Sequence, residues 1–130
     1  MIDFELNFSR NKFEMLIDKS QISRVFQNLI INSIHSIQEA NVSSGKINVE
    51  SSIANNYLNI LILDNGVGLK YEKNELIKPY FTTKKRRGGS GLGLAIVEKI
   101  LFDHNAEFFI ENRNDGTEGA KVEIKFDNKI

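Results

Sequence analysis

Asp64-Asn65-Gly66-Val67-Gly68 puts a carboxylate and two glycines where the apolar run Tyr57 to Leu63 ends. A carboxylate at a strand end can accept a hydrogen bond from an exocyclic amine. Glycines beside it permit positive φ and let the backbone approach a flat ligand. A strand-terminating turn with an Asx-type bond is the plain alternative for the same residues. Gly88-Gly89-Ser90-Gly91-Leu92-Gly93-Leu94 precedes a helical pattern. Free amides at a helix N-terminus attract anions, and glycines let a phosphate come close. The spacing matches neither the P-loop nor the dinucleotide fingerprint, so a glycine hinge is the competing reading. Asn28 and Asn32 stand one turn apart on a helical polar stripe, where Lys or Glu would form helix better. An Asn carbonyl oxygen suits Mg²⁺, which takes one or two protein ligands and keeps several waters. Lys84-Lys85-Arg86-Arg87 lies directly before the glycine loop and could neutralise a polyphosphate.

Composition limits what these residues can serve. The chain has 130 residues, the length of one domain, with 41% hydrophobic and 26% charged residues, too apolar for a disordered chain. Seventeen Lys+Arg balance seventeen Asp+Glu, which removes the broad basic field of a non-specific nucleic-acid binder. The absence of cysteine excludes disulfides, thiolate metal sites and Cys nucleophiles. No apolar run has the length of a membrane span, so no direct membrane insertion of this segment is expected.

The elements that must position these residues follow from periodicity. Asp3 to Phe8 alternates, and Phe13 to Ile17 reads as a returning strand, giving an opening hairpin across Ser9-Arg10-Asn11-Lys12. Asp18 or Ser20 can cap a helix over Gln21 to Ala40. One face of that helix carries Ile22, Phe26, Leu29, Ser33 and Ile37; Asn28, Asn32 and His35 lie on the other. Lys46 to Ile53 and Tyr57 to Leu63 read as a hairpin, and a short helix over Lys70 to Ile77 ends before Pro79. Residues 78–90 lack periodicity and read as a mobile loop. A helix over Gly91 to Asp103 and strands over Glu107 to Asn112 and Ala120 to Phe126 complete one α+β domain. His104 ends the last helix, with Asn105 suited to the left-handed C′ position, and a cationic imidazole at a helix C-terminus accounts for it.

Asn28-Leu29-Ile30-Ile31-Asn32-Ser33, Asp64-Asn65-Gly66-Val67-Gly68, Pro79-Tyr80-Phe81-Thr82-Thr83-Lys84 and Gly89-Ser90-Gly91-Leu92-Gly93-Leu94-Ala95-Ile96-Val97 together resemble the four boxes of sensor histidine kinases. The wording of the third box is most similar to the nitrogen-regulation type. The wider superfamily includes gyrase, mismatch-repair ATPases and the large heat-shock chaperone. The resemblance implies a two-layer α/β sandwich, a mixed, mostly antiparallel sheet with helices on one face, binding ATP with Mg²⁺. By position it implies that Asn32 coordinates Mg²⁺ and Asn28 supports the phosphate side, and that Asp64 accepts from the adenine amine with Gly66 and Gly68 shaping the base pocket. It also implies that Tyr80, Thr83 and Lys84 of a lid over 78–90, and Gly89, Gly91, Leu92 and Gly93, contact the nucleotide.

Hydrolytic members of the superfamily carry a Glu four residues before the Mg²⁺-binding Asn. Asn28 occupies that position and cannot act as a base, which favours kinase over ATPase. Ile77, Lys78 and Ala120 depart from common residues of the pattern, and His35 stands where relatives vary. The implied partners are a His-containing phosphoacceptor and dimerisation domain and a downstream response regulator. Neither His35-Ser36 nor His104-Asn105 has the acidic context of a phosphoacceptor, so the chain reads as an excised catalytic domain or one working in trans. A cytoplasmic location is expected, either free or as the cytoplasmic part of a membrane-anchored sensor, with the isolated domain a monomer. A stand-alone anti-sigma-type Ser/Thr kinase and a non-catalytic nucleotide sensor are the alternative functions.

Overall fold

The computed structural model describes residues 1–9, 12–78 and 93–127. Its elements are β1 (Ile2–Asn7), α1 (Lys19–Ala40), β2 (Gly45–Ala54), β3 (Tyr57–Asp64), α2 (Lys73–Leu76), α3 (Gly93–Asp103), β4 (Glu107–Asn112) and β5 (Ala120–Asp127). The sheet order is β1-β2-β3-β5-β4. Among the described residues only β1 and β2 run parallel; the remaining pairs are antiparallel. Asn55 and Asn56, at φ 52° and 66°, make the tight β2–β3 turn, because Asn tolerates the left-handed region. Alternation then separates the faces. Ile47, Ile62, Val122, Ile124 and Phe126 are buried under Val25 and Leu29 of α1 and Val97 and Leu101 of α3. Lys121, Glu123 and Lys125 between them point to the open face and are half-buried. The result is the two-layer α+β arrangement expected.

The opening hairpin is not formed. β1 pairs with β2, from Ile2↔Gly45 to Asn7↔Glu50, and residues 12–18 form no strand. Phe13 and Met15 instead pack against the core. Alternation in Phe4, Leu6 and Phe8 fixes a strand but not its partner, and two contacts decide for β2. A Cβ on Gly45 would lie 3.0 Å from Ile2 Cγ1, so the bare backbone admits Ile2. Beyond the strand, Ser9 N–H donates to Ser51 Oγ at 2.8 Å.

Asp18 caps α1, accepting from the Ser20 and Gln21 N–H groups at 3.0 and 3.2 Å. Asn41 closes it in the left-handed conformation. Its buried residues are Ile22, Val25, Leu29, Ser33, Ser36 and Ile37. Val25 and Ser36 therefore lie inward, while Phe26 is only half-buried, a small rotation from the expected stripe. α2 is a single turn, shorter than the helix expected over Lys70 to Ile77.

Candidate functional site

At the end of β3 the sheet opens into a cavity of about 220 Å³ under α1. That volume suits a planar base rather than a whole drug-sized ligand. Leu29, Leu94, Ile110 and Val122 form apolar walls, with Val67, Gly68 and Leu69 along the rim. Asp64, 3% exposed, and Asn32 supply polar groups to the same cavity. A buried carboxylate must be hydrogen-bonded, and Asp64 is. Its Oδ1 accepts from Gly66 N–H at 2.9 Å and Ala120 N–H at 3.1 Å. Both bonds fall on Oδ1, and the same side chain lines the cavity. A cleft with apolar walls and a buried, hydrogen-bonded carboxylate among its polar groups suits a flat heterocycle bearing an amine.

The rim is tied down residue by residue. Val67 N–H reaches the Ser36 hydroxyl oxygen at 3.1 Å and the Ser36 carbonyl at 3.3 Å. Gly66 makes this docking possible, since a Cβ there would lie 2.6 Å from the Ser36 carbonyl carbon. Gly68, at φ +77°, sits against Asn112. The Asn112 amide brackets Leu69, accepting from its N–H at 2.6 Å and donating to its carbonyl at 3.0 Å. Behind the carboxylate, Arg113 Nη1 donates to the Asp64 carbonyl at 3.0 Å. Arg113 is itself held by Asp115, through Nε at 3.1 Å and Nη2 at 2.7 Å. The Arg113 guanidinium keeps the Asp115 carboxyl below the usual carboxylate range.

With this geometry in hand, comparison with known proteins is decisive. The family of histidine kinase-, DNA gyrase B-, and HSP90-like ATPases matches residues 17–130. This chain belongs to it. A putative sensor histidine kinase, NtrY-like, of Rickettsia bellii is 35% identical over 127 residues, which is 97% of this chain and 20% of that protein. The nitrogen regulation protein NtrY of Azorhizobium caulinodans is 35% identical over 112 residues, 83% of this chain and 14% of that protein. The chain thus spans a fifth or less of the length of these relatives. Among solved structures, the catalytic domain of the histidine kinase ThkA superposes with a TM-score of 0.80 at 28% identity, covering 98% of this chain and 79% of that one. The fold is therefore that of a histidine kinase catalytic domain.

In this histidine-kinase-type domain, Asn32, Asp64 and Gly68 come together on the cavity wall. Asn28 stands one turn before Asn32, half-buried and off that wall, and Gly66 faces Ser36 rather than the cavity. Gly93 begins α3, and a Cβ on it would meet nothing within 4 Å. Tyr80, Thr83, Lys84, Gly89, Gly91 and Leu92 lie outside the described residues, as does the expected lid apart from Lys78.

His104 is structural, with Asn105 at φ 56° beside it as expected. Its Nε2 lies 3.0 Å from the Asp18 backbone nitrogen and its Nδ1 2.8 Å from the Ile100 carbonyl oxygen, so the ring ties the end of α3 to the start of α1. Sequence reading missed Ser36, Asn112 and Arg113. Ser36 could have been suspected as a small residue where a glycine must approach a helix. Asn112 reads as the end of a strand and Arg113 as the residue after it, and no spacing ties either to Asp64.

Proposed function

We propose that this domain binds Mg·ATP in the cavity and supplies the γ-phosphoryl group to a histidine on a separate phosphoacceptor domain, with a response regulator downstream. The observation that carries the reading is the buried Asp64 carboxylate, fixed through Oδ1 on the wall of a cleft with apolar sides, where it would accept an adenine amine. Leu29, Leu94 and Ile110 would sandwich the base, and the phosphates would extend along α1 past Asn32 toward the start of α3. Mg²⁺ takes few protein oxygens, and the Asn32 amide on the wall offers a suitable one; the bound ion would offset phosphate charge. Catalysis in such a domain is chiefly positioning and charge neutralisation. The acceptor imidazole nitrogen bonds to the γ-phosphorus as the bond to the ADP oxygen breaks. Asn28, lacking a basic group, leaves water unactivated, and a cytoplasmic site of action follows from the substrate.

Calorimetry with Mg·ADP on the natural protein and Asp64→Ala tests the pocket. Binding at micromolar concentration that the substitution weakens about 100-fold is expected; equal affinity in the two proteins would overturn the assignment. Labelled ATP incubated with the domain and a His-bearing helical hairpin should give an acid-labile phosphoryl product. An acid-stable product would place the acceptor on Ser or Thr instead.

A further inference from the structure

β5 pairs with β3 only as far as Leu63↔Lys121, one residue short of Asp64. From that point the segment between β4 and β5 takes over the support of the strand end. Arg113 N–H donates to the Gly119 carbonyl at 2.9 Å, which draws the two ends of that segment together. Gly119, at φ +146°, passes so close that a Cβ on it would lie 1.9 Å from the Asp64 carbonyl oxygen. Onto that oxygen the Arg113 guanidinium places Nη1, while Nε and Nη2 form a two-point pair with Asp115. Asp115 also accepts from Thr117 N–H at 3.3 Å, so the counter-ion is fixed as well. The Arg113 side chain is 13% exposed, does not line the cavity, and lies behind the residue that does. A planar fork with two N–H groups on one carboxylate and a third on a carbonyl is an arrangement Lys cannot reproduce.

We propose that Arg113, locked by Asp115, is a positioning residue for base selection. By holding the Asp64 peptide it fixes where the Asp64 carboxylate stands, and so how strictly the pocket demands an amine donor. This rests on the adenine reading of Asp64 given above. A carboxylate held in one place accepts from an amine and repels an oxo group at the same position. A carboxylate free to swing does both less well, so loosening Arg113 lowers selectivity more than it lowers affinity for every nucleotide alike.

The experiment measures affinity for Mg·ADP and Mg·IDP, which differ at the base by an amine against an oxo group, by calorimetry. It uses the natural protein, Asp64→Ala, Arg113→Ala, Arg113→Lys and Asp115→Asn, with circular dichroism and melting as controls for folding. The natural protein should prefer ADP, and Asp64→Ala should erase the preference. Arg113→Ala should lower the ADP-to-IDP ratio about tenfold, Arg113→Lys by less, and Asp115→Asn least. If folded Arg113→Ala keeps the ratio, or weakens both nucleotides equally, Arg113 is merely structural and the proposal fails. Should Arg113→Ala not fold, the Lys and Asn variants decide by the same criterion. A ratio that Asp64→Ala leaves unchanged would instead overturn the adenine reading itself.

Discussion

Asp64 is held by three separate stretches of chain, whereas Asn32 stands on one helix. The carboxylate takes N–H groups from its own turn and from Ala120, and its carbonyl is braced by Arg113. Asn32 owes its place to the capping of α1 by Asp18 and to the buried stripe around it. The two ends of one cleft are therefore carried differently: the first by strand ends and turns brought together from distant parts of the chain, the second by a residue of one capped helix. The first should be broken by substitutions distant in sequence that disturb folding and binding together. Changes at the second should alter ligand chemistry with little cost to the fold.

The largest effect belongs to Gly119→Ala. Its added methyl would enter the Asp64 carbonyl from a left-handed backbone, costing about 2–4 kcal/mol. For a domain of this size that is a fall in Tm of roughly 10–20 °C, read by calorimetric melting. Asp64→Asn separates recognition from packing at the same end. Its amide oxygen can keep both N–H bonds while its NH₂ faces an incoming amine, so ADP affinity should fall about 100-fold with Tm nearly retained. Asn32→Ala should do the reverse of Gly119→Ala. Helix propensity favours Ala by about 0.6 kcal/mol, which offsets part of what the Asn32 side chain's own interaction contributes, so Tm shifts by a few degrees at most while the gain in ADP affinity on adding Mg²⁺ shrinks. ADP titrations with and without Mg²⁺ check this, and an unchanged Mg²⁺ dependence would move the ion elsewhere.

The smallest effect is at the cap. Asp18→Ala should lower Tm by a few degrees at neutral pH. Bonds from Gln21 N–H and the Ser20 side chain hold the Asp18 carboxyl below its ordinary range. A depressed folded value means the stabilisation is full above the unfolded carboxylate range and is lost as pH falls through the folded one. The melting difference between the two proteins should therefore persist at mildly acidic pH and vanish only in strong acid.

Where the sequence carried a local signal, it could be read. β4 has the bounds its alternation indicates, Asn55 and Asn56 form the turn, and Asp18 and Asn105 take their cap positions. Asn32 and Asp64 were identified by residue type and converge on one cavity. What could not be read was set by contacts between distant segments. The partner of β1 depends on Gly45 admitting Ile2, the inward turn of Ser36 on the approach of Gly66, and the bracing by Arg113 on the path of the β4–β5 segment.

The parallel pairing of β1 with β2 also bears on the order in which the molecule assembles. The β2–β3 ladder closes through a two-residue turn and needs little loop entropy. β1 can meet β2 only by closing the whole span that contains α1, a costlier and later event. β1 is also an edge strand, with Phe4, Leu6 and Phe8 all more than half exposed, so it gains little burial to offset that cost. It should be the last strand to join and the first to leave. In native-state hydrogen exchange, amide protons of Ile2–Asn7 should be lost well before those of β3 and β5, through an opening that leaves the nucleotide cleft closed.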